Sequence, residues 1–322
     1  MTQINNLTVL GSGVLGGQIA FHSAFKGKNV IVCDISDEAL KRCQAAHEHY
    51  AKLYPEEAGA TAEQLEAVKA RLTYTTDVAL AYQNCDLVIE AVPEIPEIKH
   101  TAYQAMADNL PDHAIIATNS STFLPKDFAK ETGRPDRFCA LHFANLVWKL
   151  NLTEIMAHKG TSEKTLEAVT TFAIEIGMVP VPVQKEQNGY ILNTWLVNLV
   201  NSAQTLITRG VSTPEDIDRT YIIANEGAKV GPCGLMDIVG MKTYYDILSY
   251  WANENNDLTM YRNAQYLKEN FIDKNILGLQ TNQGYYSYPN PKYLEDDFIR
   301  VPDLSEVKHI VARAMLPQDD DE

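Results

Sequence analysis

His142 and Glu154 are the two residues whose types and spacing point most directly to chemistry. A carboxylate that binds one ring nitrogen of a histidine fixes its tautomer and leaves the other nitrogen free to exchange a proton. Oxidation at a carbinol carbon needs such a proton acceptor, while a second group takes the hydride. A lone histidine in an apolar strand is more often structural, and Glu154 alone could be a surface acid. The prediction therefore depends on the rest of the chain.

A glycine-rich turn near the start of the chain predicts where the hydride acceptor binds. Gly11, Gly13 and Gly16 lie between an apolar run at 7–10 and a helix-like stretch at 18–25. Such a spacing permits a tight bend, close approach of the backbone to a pyrophosphate, and close packing of helix on strand. The candidate cofactor-binding residues of the turn are Gly11, Gly13, Val14, Leu15 and Gly16.

Asp34 indicates which dinucleotide binds. It ends a second apolar run at 29–33 and follows Gly16 by eighteen residues. A carboxylate at this position accepts hydrogen bonds from both ribose hydroxyls and repels a 2′-phosphate. We therefore expect NAD rather than NADP. The alternative is a glycine-rich turn followed by an ordinary aspartate at a strand end.

Composition restricts the class of partner. The 322 residues carry 27 basic and 42 acidic side chains, a net charge of −15. A strongly acidic chain is a poor partner for nucleic acid or for an anionic membrane surface, and we expect neither. The five cysteines are scattered without metal-ligand spacing, which favours reduced thiols, a cytoplasmic location and no metal.

The order of elements predicts two unequal domains. Strand-like and helix-like segments alternate up to about residue 184, which is typical of a doubly wound, mostly parallel sheet in an α/β, Rossmann-type domain. The strand candidates are 6–10, 29–34, 86–92, 114–119, 138–144 and 179–184. The helix candidates between them are 16–26, 37–53, 62–72, 95–109 and 162–177. We predict an NAD-binding domain at 1–186 and a smaller all-helical domain at 187–322.

The second domain is predicted from helical stretches with few strand signals. These are 190–200, 214–227, 240–252 and 259–270, the first of them apolar enough to be largely buried. Because helical domains with such a helix commonly dimerise, we expect a homodimer and a substrate-binding role here. The acidic tail at 318–322 is expected to be disordered.

Several motifs, taken in order, resemble the L-3-hydroxyacyl-CoA dehydrogenase family, and most closely its diketoreductase-like branch. They are 11–16, 34, 90–94, 119–122, 142–145, 189–193, 231–240 and 283–286. The resemblance implies that His142 is the general acid and base and that Glu154 orients it. It also implies that Ser121 and Asn193 hold the reacting oxygen, that Asn145 contacts substrate, and that Glu94, Lys99 and Asn119 contact the nicotinamide half of NAD.

Structural alternatives remain for several of these residues. Ser121 could cap a helix, Asn193 could have a structural partner, and Lys99 could be an exposed helix lysine. The histidines that belong to no recognisable group of functional residues are interpreted as surface residues. They are His47, His49, His113, His158 and His309.

Departures from the family pattern concern the substrate. Residues 47–66 carry five glutamates and only Lys52, where the family is rich in lysine, and Gln280 replaces a frequent lysine. The chain is thus expected to interconvert a small-molecule 3-hydroxy compound and its 3-keto form, with a weakened grip on coenzyme A. The alternatives are a free hydroxy-acid dehydrogenase of the gulonate or carnitine type and a crystallin-like protein without turnover.

Overall fold

The computed structural model describes residues 3–196, 198, 211, 224–225, 232–295 and 300–315. The chain forms two compact units, Met1–Leu199 with Val301–Glu322, and Val200–Arg300. Most of the predicted helix at 214–227, the end of the one at 190–200 and the tail at 318–322 lie outside the described residues. The domain boundary at 186 stays a prediction.

The first unit is built on one eight-stranded sheet with the order β3-β2-β1-β4-β5-β6-β7-β8. Its strands are β1 (Asn6–Leu10), β2 (Asn29–Cys33), β3 (Leu72–Thr75), β4 (Leu87–Glu90), β5 (Ile115–Thr118), β6 (Phe138–Phe143), β7 (Leu152–Met156) and β8 (Val179–Val183). All neighbouring pairs are parallel except β6 and β7. The predicted fold class, a mostly parallel doubly wound sheet followed by a helical part, is confirmed.

Helices connect the strands and cover both faces of the sheet. They are α1 (Val14–Phe25), α2 (Asp37–Glu57), α3 (Ala62–Arg71), α4 (Val78–Tyr82), α5 (Pro96–Asn109) and α6 (Glu163–Glu175). Side chains of β1 alternate between two apolar clusters, with Leu7 and Val9 in one and Leu10 in the other. This alternation follows from the two-residue period of a strand, and it explains why the central strands are apolar on both faces.

The strand order reverses between β1 and β4, which both pair with parallel neighbours. In open α/β sheets a crevice forms at such a reversal, outside the carboxyl ends of the strands. The Gly11–Gly16 turn follows β1, and Glu94 follows β4, so both lie at this edge. The topology therefore places the predicted cofactor residues at the position where such sheets bind ligands.

Two strands were absent from the sequence prediction. β3 has only half-buried or exposed residues, and it pairs with β2 at the sheet edge. β7 carries Glu154 and is antiparallel to β6. Both are short and partly polar, so neither has a strong apolar pattern, and tertiary pairing decides their conformation.

The second unit contains α7 (Pro232–Val239), α8 (Met241–Asn255) and α9 (Leu258–Asn270). Asp237 is fully buried, and its carboxylate accepts hydrogen bonds from the backbone N–H groups of Tyr285 and Tyr286. A Cβ at Gly284 would lie 2.0 Å from Asp237 Oδ1. Two motifs noted in the sequence, 231–240 and 283–286, thus meet around one carboxylate.

The last described helix, α10 (Val307–Ala314), belongs to the first unit. It packs against β8 and α6. Its buried residues have the spacing of one helix face, and they are Val307, Ile310, Val311 and Ala314. Within the described parts of the chain, every helix is too short or too polar to cross a lipid bilayer.

His47 and His158 are buried, so their interpretation as surface residues is wrong. The His47 Nε2 lies 2.8 Å from the carbonyl oxygen of Gly17, and Nδ1 lies 2.6 Å from the Tyr74 hydroxyl. A carbonyl only accepts, so Nε2 carries the hydrogen and Nδ1 accepts from Tyr74. Burial lowers the pKa of His47 to about 4.

His22 has a similar environment on α1. Its Nε2 lies 2.9 Å from the Ile176 carbonyl oxygen, and its Nδ1 lies 3.1 Å from the Tyr54 hydroxyl. Burial lowers its pKa to about 4 as well. Both rings are therefore neutral in the folded protein at pH 7, and protonating either would bury an uncompensated charge.

Acidification is expected to destabilise the first unit through these two rings. Because their folded pKa values lie below the unfolded value, their contribution is complete above about pH 6.5 and is lost as pH falls towards 4. Each should cost about 2 kcal/mol of unfolding free energy between pH 7 and pH 5. The free energy of unfolding, measured with urea across this range, should change less steeply with pH in His47→Gln than in the wild type. In the exposed control His49→Gln its pH dependence should be unchanged. A slope in His47→Gln equal to that of the wild type would contradict the assignment.

Candidate active site

His142 and Glu154 face each other across the antiparallel pair of β6 and β7. Directly opposite residues of such a pair project from the same face of the sheet, with their Cβ atoms about 5 Å apart. Both side chains are buried, and His142 Nδ1 lies 3.0 Å from Glu154 Oε2. The register of one hairpin therefore brings the pair together.

The partners of the imidazole indicate its tautomer. An ionised Glu154 only accepts hydrogen bonds, so Nδ1 carries the hydrogen. The other nitrogen, Nε2, lies 3.0 Å from the hydroxyl oxygen of Ser121 and in the neutral ring accepts from it. Ser121 follows β5 and is half-buried, so Nε2 lies towards the carboxyl edge of the sheet, and its single lone pair is engaged by the Ser121 hydroxyl.

The second oxygen of Glu154 is also occupied. Glu154 Oε1 accepts hydrogen bonds from the backbone N–H groups of Ile191 and Leu192, at 2.9 and 3.0 Å. Residues 192–196 are helical, so these two donors belong to the start of that helix. N–H groups at a helix start have no partner within the helix and carry partial positive charge, so a carboxylate oxygen is a favourable acceptor for them.

Glu94 organises the loop that carries Ser121. Its two carboxylate oxygens accept from the Ser121 backbone N–H at 3.0 Å and from the Ser120 hydroxyl at 2.8 Å. Glu94 also lines the cleft at the reversal of strand order. One residue thus connects the wall of the cleft with the residue next to His142.

The cleft has a volume of about 670 Å³ and is lined by the glycine-rich turn and the ends of β2 and β4. Gly11 has a φ of +104°, and a Cβ there would lie 2.4 Å from the carbonyl oxygen of Ala91. A Cβ at Gly16 would lie 2.1 Å from the carbonyl oxygen of Gly11, whereas a Cβ at Gly13 would meet nothing within 4 Å. The turn therefore requires glycine at 11 and 16 for packing, and at Gly13 it leaves the backbone open to the cleft.

Asp34 lies in the wall of the cleft, directly after β2. Its Oδ2 accepts from the backbone N–H and the hydroxyl of Ser12, at 2.8 and 2.7 Å, and its Oδ1 accepts from the backbone N–H of Ser36 at 3.2 Å. The carboxylate is thereby fixed in the cleft wall. These residues fit NAD: an open backbone for the pyrophosphate, the start of α1 behind it, and an acid for the ribose.

The structure separates the predicted cofactor residues into two groups. Those in the cleft wall are Gly11, Gly13, Val14, Asp34 and Glu94. Leu15 packs against the apolar core, Gly16 packs against Gly11, and the Asn119 side chain accepts from the backbone N–H of Phe143 at 2.9 Å.

Lys99 is buried, which removes the alternative of an exposed helix lysine. Its Nζ lies 2.7 Å from Glu90 Oε1 and 3.8 Å from Glu94 Oε2. Whether Lys99 and Asn119 contact the cofactor stays a prediction.

Asn145 and Asn193 are not among the hydrogen-bond partners of His142 in the described part of the chain. Asn145 is exposed in the loop after β6, and Asn193 is half-buried in the helical segment that Glu154 caps. Ile191 and Trp195 of that segment are exposed, so of the described residues in the predicted buried helix at 190–200 only Tyr190 is buried. The substrate contacts of both asparagines stay predictions.

Sequence reasoning missed Tyr190, the third partner of the imidazole. Its ring stacks on that of His142, with centroids 4.5 Å apart and planes inclined by 21°. It is also buried, with only 1% of its surface exposed. Its place next to Gly189, in a motif already noted, was the available signal. The described residues show no group of three histidines, cysteines or acids arranged to hold a metal.

A dinucleotide cleft connected through Glu94 and Ser121 to a histidine–carboxylate pair defines a dinucleotide-dependent dehydrogenase. The comparisons with known proteins agree. Residues 6–187 match the NAD binding domain of 3-hydroxyacyl-CoA dehydrogenase, and residues 189–288 match the C-terminal domain of the same enzyme. The chain belongs to the 3-hydroxyacyl-CoA dehydrogenase family. It is an NAD-dependent oxidoreductase of CH–OH groups, which disfavours the alternative of a protein without turnover.

Individual relatives cover nearly the whole chain. It is 31% identical to the mitochondrial hydroxyacyl-coenzyme A dehydrogenase of Rattus norvegicus over 290 residues, 88% of this chain and 91% of the relative. A solved diketoreductase structure shares 44% identity, with a TM-score of 0.66 and coverage of 89% of this chain and 100% of that one. The (S)-3-hydroxybutyryl-CoA dehydrogenase of Ralstonia eutropha shares 28%, with a TM-score of 0.65 and coverage of 89% and 100%.

Proposed function

We propose that this enzyme interconverts an L-3-hydroxyacyl compound and its 3-keto form, with His142 as general acid and base. The observation that carries the proposal is the line of contacts from Glu154 through the His142 ring to Ser121. The proposal is supported by the position of Nε2 beside the Ser121 hydroxyl, a hydrogen bond that a substrate hydroxyl can replace. Bound NAD supplies the acceptor for the hydride.

In the oxidation direction, His142 Nε2 takes the proton from the substrate 3-hydroxyl. The imidazolium that forms keeps its hydrogen bond to Glu154, whose negative charge compensates the new positive charge. In reduction the same nitrogen returns the proton to the 3-keto oxygen. The Ser121 hydroxyl, held by Glu94 through the loop backbone, and Asn193 are proposed to hold that oxygen while charge develops on it.

We propose that substrates without coenzyme A are accepted alongside thioesters. The helix α2 lines the cleft with Ala39 and Ala46, and its exposed side chains include Glu48, Glu56 and Glu57. Such acids repel the phosphates of coenzyme A. The diketoreductase relative, at 44% identity, is described as acting on dicarbonyl compounds.

The substrate proposal is tested by comparing kcat/KM for acetoacetyl-CoA and for ethyl acetoacetate with NADH. We expect the two values to agree within about tenfold. Reversing charge with Glu48→Lys and Glu56→Lys should raise kcat/KM for the thioester alone, by about fivefold at low salt. The matched control is Glu163→Lys, an exposed acid on α6. A several-hundred-fold preference of the wild type for the thioester would overturn the proposal.

Assembly and location rest on the sequence alone. The homodimer is proposed from the helical character of the second domain, and the cytoplasmic location from cysteine usage. The four cysteines whose side chains are described, Cys33, Cys43, Cys85 and Cys139, are buried and free. The second candidate function is that of a dehydrogenase that acts on a small free hydroxy acid.

A further inference from the structure

Tyr190 is the one aromatic residue stacked on the proposed proton-transfer group in the described part of the chain. The two rings are nearly parallel, with centroids 4.5 Å apart. Glu154 and Ser121 contact the edge of the imidazole at its two nitrogens, and Tyr190 contacts its face. Edge contacts fix where the nitrogens point, whereas a face contact fixes the plane of the ring.

The backbone of Tyr190 is held in an unusual conformation. Its φ is +53°, in the left-handed region, which bulky side chains rarely adopt. The following two residues, Ile191 and Leu192, donate their N–H groups to Glu154. The same carboxylate that orients His142 therefore anchors the backbone that presents the Tyr190 ring. An outlier of this kind next to a reaction site motivates a functional hypothesis.

The hydroxyl of Tyr190 does not explain why the ring is there. It is buried and makes no hydrogen bond to the described residues. Burial, together with the negative charge of Glu154, raises the pKa of the phenol well above its usual value, so it stays neutral. A buried hydroxyl without a partner destabilises a protein, so the face of the ring is the part that contributes here.

We propose that Tyr190 is a positioning residue for the proton transfer, holding the plane of the His142 imidazole and stabilising its protonated form. The face of an aromatic ring carries negative electrostatic potential and attracts a cation placed over it. In the oxidation direction the imidazole becomes such a cation. The inference rests on the proposed function, because it assigns His142 the proton.

The first test uses the rate. Tyr190→Phe keeps the ring face and should keep kcat within about threefold of wild type. Tyr190→Leu removes the face and should lower kcat about 10–100-fold, with KM for NADH changed less than threefold. The rising limb of the kcat/KM profile in the oxidation direction should move to lower pH in Tyr190→Leu. An equal loss in Tyr190→Phe would overturn the proposal, since it would assign the effect to the hydroxyl.

The second test does not need turnover, and it distinguishes failure of this inference from failure of the proposed function. The His142 ring is followed by NMR in protein labelled at histidine, with its signal assigned from His142→Gln. Pentafluorophenylalanine at position 190 has nearly the shape of phenylalanine but reverses the charge of the ring face, so the fold is retained. Relative to Tyr190→Phe, it should move the His142 titration midpoint to lower pH by about half a unit or more. Equal midpoints in the two variants would overturn the proposal, whether or not the enzyme turns over.

Discussion

His142→Gln is expected to lower kcat by about 10²–10⁴-fold in both directions, because proton transfer by a positioned side chain contributes about that much to a rate. Glutamine occupies the place of the ring but cannot exchange a proton near neutral pH. Binding of NADH, measured by its fluorescence, should be unchanged, since His142 does not line the cleft. The assay is NADH oxidation with acetoacetyl-CoA or ethyl acetoacetate, with the exposed His113→Gln as control.

Glu154→Gln tests whether the tautomer of His142 matters for the reaction. The Ile191 and Leu192 N–H groups require an acceptor, so the amide oxygen faces them and the amide NH₂ faces His142 Nδ1. The ring must then carry its hydrogen on Nε2, where it can no longer take a proton from the substrate. We expect a loss of the same order as in His142→Gln, and little further loss in the double variant. Undiminished activity in His142→Gln would remove this residue from the mechanism.

Lys99→Met is expected to reduce the unfolding free energy by about 3–5 kcal/mol, the cost of leaving a buried charge without its partner. Glu90 is fully buried, and its Oε1 accepts from Lys99 at 2.7 Å. Its Oε2 accepts from Tyr103 at 2.6 Å and from Thr118 at 2.8 Å. These neutral donors cannot replace the lost positive charge.

Urea unfolding measures the effect, and a double variant tests its cause. Glu90→Gln combined with Lys99→Met removes both charges, and should recover most of the loss. Lys69→Met is the matched control, because its pair with Glu66 is exposed and should contribute under about 1 kcal/mol. A change below about 1 kcal/mol in Lys99→Met would show that Glu90 does not depend on this lysine for its stability.

The nucleotide-binding part was predictable because its signals are local. The spacing of Gly11, Gly13 and Gly16 and the following Asp34 specify a strand, turn, helix and strand within thirty or so residues. In contrast, β3 and β7 are short, and they become strands by pairing with strands from other parts of the chain, β3 with β2 and β7 with β6 and β8. No local pattern carries that information.

The site was predictable by residue type but not by geometry. His142 and Glu154 were recognisable as a pair, but the antiparallel register that joins them depends on β7. The stacking of Tyr190 on His142 is set by a contact between segments far apart in the chain. The pairing of Lys99 with Glu90 is closer in sequence, but it depends on how α5 packs against the end of β4. The same reason explains why the burial of His47 was not predicted. The sequence pattern of α2 does not show that the ring nitrogens of His47 bond to the Gly17 carbonyl and the Tyr74 hydroxyl.

The hairpin of β6 and β7 separates what must stay constant from what can vary. The loop at its tip, 144–151, contains exposed positions such as Asn145 that lie outside the residue pairs joining the two strands. Val147 of the same loop is buried in the core and cannot vary as freely. Replacements at the exposed positions are expected to leave the register intact. A slip of β7 by a single residue, however, would turn Glu154 to the opposite face of the sheet. We therefore expect natural variation or engineering at the exposed loop positions to leave the pairing of His142 with Glu154 in place, whereas a change in the length of β7 would abolish it.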